Sequence, residues 1–183
     1  MANAAKVAEL REFYVRNGVD HRGRTLEQIL GQSDTWWEEV HDFIQWVFPL
    51  PTVSSASADA PAIPLDVFAE LACSTVVRAN ARRAWLRYMQ FLGYDVVPDT
   101  GMLQPSSNYA ERRDDWAVAG THNDLRITRM LQSLRLLGLP REVDATLMEL
   151  NGVLIRHRRF GAVRTMQFWQ EAARDVPRQP QQE

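Results

Sequence analysis

The segment THNDLRITRMLQSLRLLGLP, residues 121–140, has the strongest helical pattern in the chain. Its apolar side chains recur at intervals of three and four residues, as on the buried face of an α-helix. These apolar residues are Ile127, Met130, Leu131, Leu134 and Leu137. Thr121 and Asp124 have the spacing of a capping box, and Gly138 marks the end of the helix. The segment therefore predicts one long helix over residues 122–137.

A second stripe on this helix is polar and lies between the core face and the apolar pair Leu125 and Leu136. Its members follow spacings of four, three and four residues: His122, Arg126, Arg129 and Ser133. A guanidinium in that position is partly buried and needs carboxylate or carbonyl partners, because unpaired buried charge is unfavourable. Two interpretations remain open: an internal ion-pair lattice that joins helices, or an anion-binding wall for a ligand carboxylate or phosphate.

The segment DTWWEEVHDFIQWVFP, residues 34–49, predicts another helix, which ends before its final proline. Most of its apolar side chains fall on one arc, with His41 and Gln45 at the edge of that arc. Trp46 instead projects to the acidic side, one turn after Asp42. Either Trp46 packs beneath a loop, or Trp46 and Asp42 form a recognition surface.

Helical spacing continues through most of the chain, and no convincing strand alternation is present. The predicted helical segments include residues 4–16, 26–30, 34–47, 65–92, 122–137, 141–155 and 162–174, with another ending near residue 116. The stretch over residues 65–92 is either one helix or two helices that meet near Ser74. Proline-containing irregular segments occupy residues 50–64 and 94–107. The sequence thus predicts an all-α single domain over residues 1–176, an irregular bundle of about seven helices, followed by a disordered tail at residues 177–183.

Composition narrows the class of protein. The 183 residues are 45% hydrophobic and include a single cysteine, so a packed core is expected and an internal disulfide is excluded. No apolar run approaches the ~18 residues of a membrane helix, and we expect a cytoplasmic protein. The net charge of −2 argues against a nucleic-acid partner. Lys6 is the only lysine, and this arginine bias suggests a bacterial source with a GC-rich genome.

Two motifs resemble those of a known family. HDFIQWVFP, residues 41–49, is similar to the His-x-x-Ile-Gln-Trp-Leu-Phe-Pro motif of the opioid growth factor receptor conserved region, with Val47 in place of leucine. HNDLRITRMLQSLRLLG, residues 122–138, resembles the His-Asn-x-Leu-Arg-Ile-Thr-Arg-Ile-Leu motif of the same family. The resemblance implies a receptor-like domain, because vertebrate members bind a short enkephalin peptide, associate with the nucleus and restrain cell proliferation.

We therefore predict a receptor-like domain that binds a small peptide or an anionic small molecule between the two motif helices. Asp42 would meet a ligand ammonium, the arginines a carboxylate, and Trp46 an aromatic ring. The predicted binding residues are His41, Asp42, Gln45, Trp46, His122, Asn123, Arg126 and Arg129.

No cofactor, metal site or catalytic residue is predicted, and the oligomeric state stays open. One alternative is an enzyme that uses His41 and His122 as acid and base, although no nucleophile elbow or phosphate loop is present. The other is a nucleic-acid-binding domain, favoured by the basic residues of one helix: Arg78, Arg82, Arg83 and Arg87.

Overall fold

A computed structural model describes residues 2–53, 59–117, 120–157 and 161–174. Over these residues the chain forms ten helices and one two-stranded antiparallel sheet. In chain order they are α1 (Ala2–Val15), α2 (Leu26–Leu30), α3 (Asp34–Glu39), α4 (Ile44–Val47), α5 (Leu65–Cys73), α6 (Thr75–Phe91), β1 (Tyr94–Val96), β2 (Leu103–Pro105), α7 (Tyr109–Trp116), α8 (His122–Leu136), α9 (Pro140–Arg156) and α10 (Ala162–Ala172).

The predominance of helix is confirmed, but the predicted number of about seven helices is wrong. One reason is that the helical stretch over residues 65–92 is broken at Ser74, the second of the two alternatives left open above, and forms α5 and α6. Ser74 has an extended backbone, and its hydroxyl accepts from the backbone N–H of Val77 at 3.3 Å. A new N-cap therefore starts α6 one residue after α5 ends.

The predicted helix over residues 34–47 is also divided, although neither glycine nor proline lies within it. Val40 adopts an extended conformation (φ −94°, ψ 130°), and α4 begins only after Phe43. The carbonyls of Trp37 and Val40 accept hydrogen bonds from the Arg126 side chain at 2.6 and 2.7 Å. A long-range contact thus takes the place of the local bonds that would continue the helix.

The sheet lies in the predicted irregular segment over residues 94–107. Tyr94 pairs with Pro105 and Val96 with Leu103, so each strand is only three residues long. Gly93 enters the first strand with φ +90°, and a Cβ there would lie 2.8 Å from the Cα of Tyr109. Strands this short carry too little alternation to be recognised from sequence.

Aromatic side chains fill much of the core, and five of the six tryptophans are buried: Trp37, Trp46, Trp85, Trp116 and Trp169. The central helices bring them together: α6 contacts α1, α5 and β1, whereas α8 contacts α5, α7, α9 and α10. Burying each of these rings contributes upward of about 1.5–3 kcal/mol. The core therefore fixes the relation between α3, α6 and α8, which positions the polar groups described below.

The N-terminal capping predicted from the sequence is present at α2 and differs at α8. Thr25 and Gln28 form a complete capping box. At α8 the Thr121 side chain makes no cap bond, and the Asp124 carboxylate accepts from the backbone N–H of Gly120 at 3.2 Å. The predicted Thr121–Asp124 capping box is therefore wrong by one position, because the carboxylate reaches one residue further back.

Within the part of the chain that the structure describes, no helix combines the length and apolar composition needed to cross a membrane. The predicted tail, residues 177–183, and the predicted domain end at residue 176 lie outside the described residues.

Candidate functional site

Arg126 joins the two motif segments. It projects from α8, is 5% exposed, and donates to the carbonyls of Trp37 and Val40 at 2.6 and 2.7 Å. A third contact, of 2.6 Å, runs from the same guanidinium to Nδ1 of His41. Burial lowers the pKa of Arg126, because the charged form loses solvation. The guanidinium thus binds two backbone carbonyls and one imidazole at the C-terminal end of α3. We call these contacts of Arg126 with Trp37, Val40 and His41 the Arg126 clamp.

Arg129 makes a related contact one turn further along α8. Its Nη1 donates to the carbonyl of Phe48 at 3.1 Å, and burial lowers its pKa as well. The arginine stripe therefore binds backbone carbonyls of the segment from Trp37 to Phe48. This fits the internal interpretation of the stripe, with carbonyls in place of most of the expected carboxylates.

The two motif histidines meet beside the Arg126 clamp. The rings of His41 and His122 lie edge to face, with centroids 5.1 Å apart. Partial burial, and then the charges of Arg126 and His122, lower the pKa of His41, against opposite effects of Glu38 and Asp42. These effects together disfavour the protonated form of His41.

Glu38 is the hub of the polar cluster, although no pattern in the sequence marks it as a site residue. It pairs with Nε2 of His122 at 2.8 Å and with the Arg112 guanidinium at 2.9 Å. The amide of Asn123 donates to the same carboxylate at 3.2 Å. Burial opposes ionisation of Glu38, but the Arg112 hydrogen bond and the nearby charges lower its pKa overall. Glu38 therefore remains a carboxylate that links α3, α7 and α8.

Arg112 is the second residue that the sequence did not reveal. It is 9% exposed, and its Nε donates to the carbonyl of Phe91 at 2.7 Å. Its other nitrogens reach Glu38 and Asp115. The only available signal was its place within a short polar helix, and that signal does not distinguish it from its neighbour Arg113.

An open cleft of about 390 Å³ adjoins this cluster, between α3 and α7. We call it the α3–α7 cleft; it is lined by Asp34, Thr35, Glu38, Glu39, Asn108, Glu111 and Arg112. Asp34 pairs with Arg87 at 2.8 Å, and Glu38 pairs with Arg112. Among the described residues, Glu39 and Glu111 have no ion-pair partner, and both are exposed. The cleft therefore presents free negative charge to solvent.

Asp42 lies in a separate cluster with the loop that follows α1. It binds Arg22 at 2.9 Å and Arg24 at 2.8 Å, and Nε2 of His21 lies 3.6 Å away. Burial opposes ionisation, but the hydrogen bonds from Arg24 and Arg22 lower the pKa of Asp42. The carboxylate predicted to meet a ligand ammonium already has cationic partners within the protein.

Trp46 is 1% exposed and belongs to the core. Its ring stacks on His21 at 6.3 Å and meets the edge of Phe13 at 5.7 Å. This fits the interpretation in which Trp46 packs beneath a loop. Gln45 is also buried, and its Oε1 has no hydrogen-bond partner within the described structure.

The structure thus divides the predicted binding residues into two groups. His41, His122, Asn123 and Arg126 converge on Glu38 or on the clamp beside it. Asp42 and Trp46 face the loop of residues 20–24, and Arg129 holds Phe48. A ligand that used Asp42, Trp46 or Arg126 directly would displace contacts that these side chains already make.

Three of the four basic residues of α6 form ion pairs within the protein. Arg82 pairs with Glu142 at 3.1 Å, Arg83 with Glu27 and Arg87 with Asp34. Ion pairing reduces the positive potential that a nucleic-acid surface requires.

The fold and the cluster define a helical domain in which two distant motifs bind each other through polar groups beside an open acidic cleft. The chain belongs to the family described as the opioid growth factor receptor (OGFr) conserved region, whose model matches residues 9–179.

The chain is similar to several mammalian proteins and matches only part of their length. The Opioid growth factor receptor of Rattus norvegicus is 33% identical over 121 residues, which are 64% of this chain and 20% of that protein. The protein of the same name from Homo sapiens is 34% identical over 107 residues, 56% of this chain and 15% of its own length. Opioid growth factor receptor-like protein 1 of Mus musculus is 28% identical over 124 residues, 63% of this chain and 25% of that protein. The chain thus spans between 15% and 25% of the length of these relatives. No solved structure gives a significant match.

Proposed function

We propose that this domain is a receptor-like binding module that takes a short peptide through its ammonium group in the α3–α7 cleft. The observation that carries the proposal is the pair of exposed carboxylates, Glu39 and Glu111, which line the cleft without an internal cation. A solvent-exposed carboxylate–ammonium pair contributes up to about 1 kcal/mol, so two carboxylates around one ammonium contribute at most about 2 kcal/mol. The names of the relatives, which are called receptors, also support a ligand-binding role.

The predicted site residues have two roles in this proposal. His122 and Asn123 bind Glu38, which is itself part of the cleft wall, so they border the ligand. His41 and Arg126 fix the end of α3, and with it the position of Glu39. His41 and Arg126 are therefore positioning residues, which act on the ligand through Glu39.

The remaining predicted residues act further from the cleft. Asp42, Trp46 and Arg129 hold the segment after α3 against the loop that follows α1, α1 itself and α8. Gln45 is buried within the same segment. An anionic ligand, the other partner that the sequence suggested, would be repelled by the free carboxylates of the cleft.

Calorimetric titration with an enkephalin peptide tests the proposal. We expect the peptide with a free amino terminus to bind, and its N-acetylated form to bind at least about tenfold more weakly, equivalent to ~1.4 kcal/mol. The double variant Glu39→Gln/Glu111→Gln should lose affinity to a similar extent. Glu171→Gln, an exposed acidic position on α10, is the matched control and should leave affinity unchanged. Equal binding of the free and acetylated peptides, or no effect of the double variant, would contradict the proposal.

A further inference from the structure

We propose that the junction of α3 and α8 is a pH-sensitive latch, in which protonation of His41 opens the Arg126 clamp at residues 40–42. The latch requires no ligand, so it is independent of the binding proposed above. It rests on the geometry of one imidazole among four charged or titratable groups.

The first step concerns the hydrogen bond between the two side chains. An arginine guanidinium can only donate, so Nδ1 of His41, 2.6 Å away, must accept with a free lone pair. In the clamp, His41 is therefore neutral, with its proton on Nε2. A proton added at Nδ1 would put two donors face to face and bring two cations together.

The second step concerns the other charged groups that face His41. From α8 come the guanidinium of Arg126 and the imidazole of His122, both of which disfavour protonation of His41. From α3 comes Glu38, and from the chain beside His41 comes Asp42, whose negative charges favour it.

Both carboxylates are already compensated by other cations. Glu38 pairs with Arg112 on α7, and Asp42 pairs with Arg24 in the loop before α2. The effect of the α8 side chains, that of Arg126 first, therefore exceeds that of the two carboxylates, in agreement with the lowered pKa of His41.

The third step concerns what can move. Val40 is extended, and the short helices α3 and α4 end and begin on either side of it. His41 is exposed and Val40 and Asp42 are half-buried, whereas Phe43 is fully buried. A local opening of residues 40–42 thus exposes little apolar surface. The contacts that oppose the opening are polar: Arg126 binds the carbonyl of Val40, and Arg22 and Arg24 bind Asp42. A segment held mainly by such contacts can open without unfolding of the apolar core.

Linkage makes the proposal quantitative. If only His41 couples protonation to opening, the equilibrium constant for opening residues 40–42 must rise at low pH by a fixed factor. This factor is the acid dissociation constant of His41 in the closed segment divided by that of His41 in the open segment. The loss of amide protection at residues 40–42 must equal this ratio.

Two nuclear magnetic resonance measurements test the latch. A titration of the His41 ring is expected to give an apparent pKa below the ~6.5 of an unperturbed histidine. Amide exchange at residues 40–42, corrected for the intrinsic pH dependence, should accelerate between pH 7.5 and pH 5 by the factor that the titration gives.

Variants separate the latch from general acid sensitivity. His41→Asn keeps an acceptor near the position of Nδ1 but cannot titrate, so the pH dependence of exchange at residues 40–42 should be lost. His157→Asn, at the exposed end of α9, is the matched control and should retain that dependence. If His41 titrates at ~6.5 or above, or if His41→Asn keeps the same pH dependence, the latch is wrong. The titration of the unmodified protein decides the matter even if the His41→Asn variant does not fold.

Discussion

Replacement of Arg126 by alanine should strongly destabilise the fold. The side chain makes two charge-assisted hydrogen bonds to the carbonyls of Trp37 and Val40. Such bonds contribute about 1.5–3 kcal/mol each. Part of this total is regained, because the variant no longer has to bury a guanidinium. We therefore expect the free energy of unfolding to fall by about 2–5 kcal/mol.

Urea unfolding measures this change. With a slope of about 2 kcal/mol per molar urea, the transition midpoint of Arg126→Ala should fall by about 1–2.5 M. Arg126→Lys keeps the charge but not the planar fork that reaches two carbonyls at once, so it should recover only part of the loss. The matched control is Arg141→Ala, an exposed arginine near the start of α9, which should shift the midpoint little.

The comparison with Arg141→Ala also shows which result would contradict this prediction. If both alanine variants shift the midpoint equally, Arg126 does not hold α3 in solution, and the Arg126 clamp does not contribute to the free energy of unfolding. A loss in Arg126→Ala that Arg126→Lys restores in full would show that charge alone matters, and would contradict the role given to the two carbonyl bonds.

Three further predictions concern stability and partners. Arg129→Ala should lower the free energy of unfolding by only about 1–3 kcal/mol in urea titrations, because one hydrogen bond to Phe48 is lost. Because the pKa of His41 is lower in the folded protein, the unfolded chain binds a proton at this residue more readily. The contribution of His41 to stability is therefore complete above about pH 6.5 and declines as the pH falls through that value toward the folded pKa. Urea midpoints at pH 7.5 and pH 5 should show this decline, and His41→Asn should reduce it. Duplex or single-stranded nucleic acid should not bind at physiological salt in a fluorescence anisotropy titration, and micromolar affinity that is lost in Arg82→Ala/Arg83→Ala would refute this expectation.

The sequence predicted those elements whose determinants are local. Helix α8 follows from its three- and four-residue spacing, and α2 begins at a capping box that is visible in four residues. The burial of Arg126 was also predictable, because its stripe lies between two apolar faces. In each case the residues that determine the structure lie within a few turns of one another.

What the sequence did not predict depends on distant contacts. The break after α3 follows from Arg126, which lies 86 positions from Val40. Glu38 meets Arg112 and Asn123 across 74 and 85 positions, so no local pattern marks it as a hub. Because Glu38 and Arg112 line the α3–α7 cleft, the location of the cleft was equally hidden.

Chemical-shift mapping tests the proposed binding role most directly. The isotopically labelled domain is titrated with an enkephalin peptide that has a free amino terminus, and backbone amide shifts are followed residue by residue. The proposal predicts that the largest changes cluster at residues 34–39 and 108–112, on the two walls of the α3–α7 cleft. Changes centred on Trp46 and the loop of residues 20–24, or no saturable changes at all, would contradict it.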